Sequence, residues 1–209
     1  VEEPVPSPPP PPQWLAFLEL GFRPLYLAGC LWAAISILLW VFAPRTLAGP
    51  LGGVAWHAHE MLWGFIATIA VGFLFTAGAN WTGINPLRGK ALGGLTTLWL
   101  LARAGYLVPG SAGFWVAACS ETAFFAIAAV ALGRSIYPAR SRRNYGIPVL
   151  VLALGAANVL YLHTVLRGDY ALLLARFNLG LLCMAVIALL VARRVIPFFA
   201  MRAVAGLDI

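Results

Sequence analysis

Six long apolar runs recur along this 209-residue chain and dominate what it can become. They extend from Pro24 to Ala43, His57 to Trp81, Ala91 to Val108, Ala112 to Leu132, Gly146 to Leu166 and Ala171 to Ala192. Each has the length a helix needs to cross about 30 Å of hydrocarbon. In that layer every backbone polar group must find its partner within the protein, and these runs are too long for barrel strands, so all six are predicted as helices. The expected fold class is all-α, a polytopic membrane bundle of six transmembrane helices. The chain is 62% hydrophobic and 10% charged, more apolar than a soluble domain of this size.

The distribution of Lys and Arg sets an expected orientation. Arg23, Arg88, Lys90, Arg134, Arg140, Arg142, Arg143, Arg193, Arg194 and Arg202 fall on one side, and Arg45 and Arg167 on the other. Arg103 and Arg176 lie within spans. This bias places both termini in the cytoplasm. The net charge of +7 therefore belongs to membrane topology, and no nucleic-acid partner is read from it; the lipid bilayer is the partner.

Residues 1–20 form a proline-rich tail and an interfacial segment, with Pro8 to Pro12 favouring an extended polyproline stretch. Trp14 and Arg23 suit interfacial anchors. Residues 21–200 form the membrane domain and 201–209 a C-terminal tail. The chain begins at Val1, which suggests missing N-terminal residues, and its acidic, proline-rich start does not resemble a signal peptide. Cys30, Cys119 and Cys183 each fall in an apolar run, with no CxxC spacing, and read as packing residues.

With this topology the polar residues gather in one half of the bilayer. The densest group is Trp56-His57-Ala58-His59-Glu60-Met61, at the start of the second run. Such residues at a membrane edge are costly unless they bind something. On a regular helix His57 and His59 point about 160° apart. Either the helix begins after His57, or the two serve different partners. In the second case His57 lies beside Met61 and Glu60, and imidazole with thioether suits copper. His59 then turns to a neighbouring helix, where it could ligate haem iron, with Glu60 orienting a ring nitrogen. His163 lies at similar depth. The bland alternative is interfacial histidines bonded to loop carbonyls. Arg103 and Glu121 differ in depth by about 6 Å, within reach of an ion pair. Arg176 and Asn178 either bind an anion, such as a haem propionate, or snorkel to the surface.

Five blocks together resemble the NnrS family: Leu20-Gly21-Phe22-Arg23-Pro24, Trp56-His57-Ala58-His59-Glu60-Met61-Leu62-Trp63-Gly64-Phe65, Gly72-Phe73-Leu74, Asn80-Trp81-Thr82-Gly83 and Val195-Ile196-Pro197-Phe198-Phe199. They occur in order across residues 20–200. The resemblance implies a protein of the bacterial inner membrane that contains haem and copper. It also implies a link to nitric oxide metabolism and nitrosative stress, with nitric oxide or metal-nitrosyl species as partners. His57, His59 and His163 carry over as ligand candidates. Family members are about twice this length, so the resemblance covers the N-terminal half. That leaves a truncated chain or a half-length relative that pairs with a second membrane subunit or larger complex.

Two functions follow as expectations. One is a haem- and copper-binding protein acting near nitric oxide. The other is a cofactor-free accessory or assembly subunit, which the apolar first span and the proline-rich tail favour. A transporter with Arg103, Glu121, Asn158 and Arg176 along a path is a third and weaker reading, because no internal repeat is visible. No nucleophile–base set, phosphate loop or paired-carboxylate pattern marks an enzyme, and any redox chemistry would belong to the cofactor.

Overall fold

The computed structural model describes residues 14–47 and 49–204. The polyproline stretch within 1–13, the anchoring side chain assigned to Trp14, and the end of the C-terminal tail, 205–209, lie outside the described residues. The described residues are helical with no strand. They form α1 (Trp14–Phe17), α2 (Phe22–Phe42), α3 (Gly53–His59), a π-helical segment (Glu60–Ile66), α4 (Ala67–Thr82), α5 (Gly89–Leu107), α6 (Ser111–Ile136), α7 (Gly146–Arg167) and α8 (Tyr170–Ala203). α3, the π segment and α4 are one continuous rod, Gly53–Thr82.

Five of these helical units are long and apolar enough to cross a membrane: Phe22–Phe42, Gly53–Thr82, Ser111–Ile136, Arg142–Arg167 and Tyr170–Ala203. α5 is the sixth long helix, with 19 residues that include Lys90 and Arg103. It packs closely against α6.

Local chemistry accounts for the boundaries. α2 stops at Ala43 because Pro44 follows, and the residue before a proline is disfavoured in the helical region. α4 ends at Gly83 with φ 71° and α7 at Gly168 with φ 69°, the left-handed cap that glycine adopts without penalty. Asp169 caps α8, its carboxylate accepting from Leu172 N at 3.0 Å. The rod begins at Gly53, before the predicted start, so His57 lies inside a helix and the extended arrangement for it does not occur. α8 runs past Ala192 to Ala203, with Pro197 inside it. At 1.5 Å per residue its length is about 51 Å, more than the thickness of the hydrocarbon layer.

α2 shows how a lipid-facing helix is built. Leu25, Gly29, Trp32 and Ser36 are buried on one stripe, while Leu27, Leu31, Leu38 and Val41 face outward. With lipid as apolar as leucine, helices associate in a membrane through close packing, and small residues permit it. A Cβ on Gly105 of α5 would lie 2.9 Å from Ala117 Cβ of α6, and one on Gly155 of α7 would lie 2.6 Å from Phe125 Cβ. Gly180 of α8 admits the Trp63 ring in the same way. Cys30, Cys119 and Cys183 are unpaired, and the first two face outward instead of packing inside.

Gly105→Val is therefore expected to destabilise the bundle by about 1–3 kcal/mol through overpacking. Gly94→Val, where a Cβ meets nothing within 4 Å, serves as the control. Thermal unfolding in detergent checks the difference, and equal midpoints for the two variants would contradict the close α5–α6 contact.

Candidate functional site

The helices converge on a sealed cluster of charged and polar side chains. It draws Trp32 from α2, His59 from the end of α3, Glu60 from the π segment, Arg103 and Tyr106 from α5, Glu121 from α6 and Asn158 from α7. His59, Glu60, Arg103, Glu121 and Asn158 are buried to within 1% of complete. On α5, Trp99, Ala102, Arg103 and Tyr106 are all buried, the spacing of one helix face.

Arg103 is the centre. Its Nη1 donates to Glu60 Oε2 at 2.5 Å and its Nη2 to Glu121 Oε1. Trp32 Nε1 also donates to Glu60 Oε2 at 2.5 Å. Glu121 Oε2 accepts from Tyr106 Oη at 3.0 Å and Asn158 Nδ2 at 2.8 Å. The guanidinium lies over the Tyr106 ring at 5.4 Å and the Trp99 ring at 5.8 Å, within cation–π range.

His59 completes the ring. Nδ1 meets Glu60 Oε1 at 2.9 Å, and Nε2 meets Asn158 Oδ1 at 2.9 Å and Glu121 Oε2 at 3.1 Å. Both nitrogens thus face oxygen acceptors, and only the imidazolium carries two N–H donors. In that form the two carboxylates balance one guanidinium and one imidazolium, so the cluster carries no net charge. Aromatic rings of Tyr106, Trp63 and Tyr161 enclose the imidazole at centroid distances of 5.0, 5.4 and 5.9 Å.

The π segment makes this arrangement possible. A π turn holds one more residue than an α turn and interrupts the i→i−4 ladder, a device found often at functional sites. Two side chains fill hydrogen-bonding capacity along it: Trp99 Nε1 donates to Gly64 O at 3.2 Å, and Thr68 Oγ1 donates to the same carbonyl at 3.0 Å. Gly64 leaves the space in which the ion pair sits. A Cβ there would lie 2.5 Å from both Arg103 Nη1 and Glu60 Oε2.

The other residues singled out by sequence lie elsewhere. His57 points away from His59 and stacks on Trp40 of α2, with ring centroids 4.0 Å apart and planes at 11°. Its Nδ1 is buried and has no hydrogen-bond partner. Met61 falls within the π segment and is half-buried. His163 is exposed on α7, in an apolar groove between α6 and α7 that also contains Trp115, Cys119 and Leu162. Arg176 is half-buried on α8 and makes no ion pair among the described residues. The structure thus brings His59, Glu60, Arg103 and Glu121 together, and leaves His57, Met61, His163 and Arg176 outside.

The family profile described as NnrS protein matches residues 16–209, nearly the whole chain. The chain belongs to the NnrS family. No curated protein and no solved structure matches it. In this NnrS chain the Trp-His-x-His-Glu block supplies one wall of the charge cluster.

Sequence reasoning missed Trp32, Gly64 and Tyr106 as parts of the site, and grouped Asn158 with Arg103 and Glu121 only in the weaker transporter reading. Two signals were present: Asn158 is a polar residue inside an apolar run, and Gly64 stands four positions after Glu60. Trp32 and Tyr106 gave none, since membrane helices carry such aromatics for packing alone.

Removing one partner of a buried ion pair leaves an uncompensated charge and costs about 3–5 kcal/mol. Arg103→Met and Glu121→Leu should each yield little folded protein, measured as monodisperse material after detergent extraction. Gly64→Ala should destabilise the bundle in the same direction, while Gly94→Ala leaves it unchanged. In 15N-labelled protein both His59 ring nitrogens should show the shifts of protonated imidazolium at neutral pH. A ring with one bare nitrogen would overturn the charge-neutral arrangement.

Proposed function

We propose that this chain is a multi-pass protein of the bacterial inner membrane, with both termini cytoplasmic, that acts in nitric oxide metabolism or the nitrosative-stress response. Family membership over residues 16–209 carries this reading. The buried cluster supports it as a site and not mere scaffold, because ionisable groups inside a membrane are expensive and are retained chiefly for function.

Haem and copper are the cofactors that belong to this proposal. The donors that fit are His57 and His163. The Nδ1 of His57 is buried and unpartnered, which a metal would relieve, and Met61 lies one turn further on. His163 opens onto an apolar groove suited to a macrocycle. Arg176, with no carboxylate partner of its own, suits a propionate. His59 fits less well as a ligand, because both of its nitrogens are engaged by oxygens at 2.9–3.1 Å. When bound, such a metal would supply the redox-active centre for nitric oxide chemistry. The chain's own cluster would hold protons on His59 Nδ1 and Nε2 and on Tyr106 Oη, enclosed from water. Loss of any one leaves a net negative charge in a buried interior.

The accessory-subunit reading is favoured by one observation: the apolar first span turns Leu27, Leu31, Leu38 and Val41 outward, a face that a partner helix could cover. Purified full-length protein separates the two. The cofactor reading expects a Soret band and bound copper, with the Soret band lost in His163→Ala and copper lost in His57→Ala or Met61→Leu. A colourless, metal-free protein that stays with a larger membrane complex, and whose function survives all three substitutions, would establish the accessory role instead.

A further inference from the structure

The far end of the bundle holds a second feature, unrelated to the charge cluster. A cavity of about 870 Å³ opens between the α6–α7 connection and the C-terminal part of α8. Arg140, Arg142 and Arg143 line it from the connection, and Arg193 and Arg194 from α8. None of the five makes an ion pair among the described residues. No acid is close in sequence either: the chain has none from Thr122 to Gly168 or from Tyr170 to Leu207. Five guanidinium groups around one cavity repel one another, and an anion between them reverses the sign of that interaction.

The cavity is shaped as well as charged. The Arg194 guanidinium lies 4.5 Å over the Trp81 ring of α4 and donates to the Arg143 carbonyl at 3.1 Å, which ties three parts of the chain together. Arg140 holds φ at 50°, a conformation that costs energy for a residue with a Cβ. The rest of the lining includes the apolar side chains of Ile147, Leu190, Val191, Pro197 and Met201. Trp81 marks the level of the membrane interface, where tryptophan concentrates. Asn144 is 2% exposed and lines the same cavity. Its Nδ2 donates to Ser141 Oγ at 2.7 Å, and its Oδ1 is buried with no partner.

We propose that this cavity binds the headgroup of an anionic glycerophospholipid from the leaflet on the arginine-rich side. The phosphodiester lies among the arginines, whose planar forks match phosphate oxygens. A headgroup hydroxyl donates to Asn144 Oδ1, and the acyl chains run along the apolar side chains. Basic pockets between membrane helices on the cytoplasmic side are suited to such headgroups. Free phosphate shares the anionic chemistry but has neither the acyl chains nor the extra hydroxyl donor.

The test uses the full chain in detergent, with lipid retention followed by native mass spectrometry. Phosphatidylglycerol, phosphatidylcholine and inorganic phosphate are compared. Phosphatidylglycerol should bind at least about tenfold more tightly than phosphatidylcholine, and its binding should weaken toward about 0.5 M salt. The double variant Arg142→Gln/Arg193→Gln should lose about thirtyfold in that affinity. Arg88→Gln/Lys90→Gln, on the same face but outside the cavity, should lose much less, with helix content monitored by circular dichroism in both. Equal binding of the two lipids, salt-independent binding by the unaltered chain, or equal losses in both double variants would overturn the site. Displacement of phosphatidylglycerol by an equal concentration of inorganic phosphate would overturn the lipid as its occupant.

Discussion

Everything inside the bundle is arranged around one bifurcated ion pair, Arg103 between Glu60 and Glu121. A guanidinium in the middle of a membrane protein is tolerable only if its charge is met at hydrogen-bonding distance. Meeting it requires carboxylates from two other helices. Those carboxylates need donors in turn, which Trp32, Tyr106, Asn158 and His59 provide. One charge therefore dictates the approach of α2, the α3–α4 rod, α5, α6 and α7. The small residues Gly64 and Gly105 are consequences of that approach, because the helices must come close enough for the side chains to touch.

The π segment is the local concession to this geometry. An uninterrupted α-helix through Glu60–Ile66 would keep its backbone ladder intact. Here the chain accepts a wider turn, and side chains from α4 and α5, Thr68 and Trp99, take up the carbonyl of Gly64. A π turn supported by partners from its surroundings is frequent at functional sites. This segment lies within one of the blocks that resemble the NnrS family.

The two ends of the bundle divide the labour by charge. The polar cluster is neutral in sum when His59 is protonated, buried, and closed by aromatic rings. The other region gathers arginines, none in an ion pair among the described residues, around an open cavity beside Trp81. That polarity follows the bias of Lys and Arg along the chain. It separates buried charges that balance one another from arginines with no counter-charge among the described residues. α8 joins both regions, packing Gly180 and Phe177 against Trp63 near one end and presenting Arg193 and Arg194 at the other.

The sequence by itself determined the all-helical membrane class, because hydrocarbon leaves long apolar runs no other closed hydrogen-bonding solution. The proximity of Arg103 and Glu121 was legible too, since both sit on adjacent spans at similar depth. Periodicity also implied that His57 and His59 diverge, and the structure turns one onto Trp40 and the other into the interior. Helix ends were less legible: the rod starts at Gly53 and α8 continues to Ala203, because polar and basic residues at a helix end obscure where the backbone stops coiling. Only the tertiary structure decided that Glu60 turns to Arg103, that His59 engages Glu60 through one nitrogen and acceptors on α6 and α7 through the other, and that Asn158 closes the ring. Those facts depend on helix rotation and on a π turn. Neither leaves a mark in hydropathy, because membrane helices pack by shape and charge at particular atoms, not by the pattern of apolar residues.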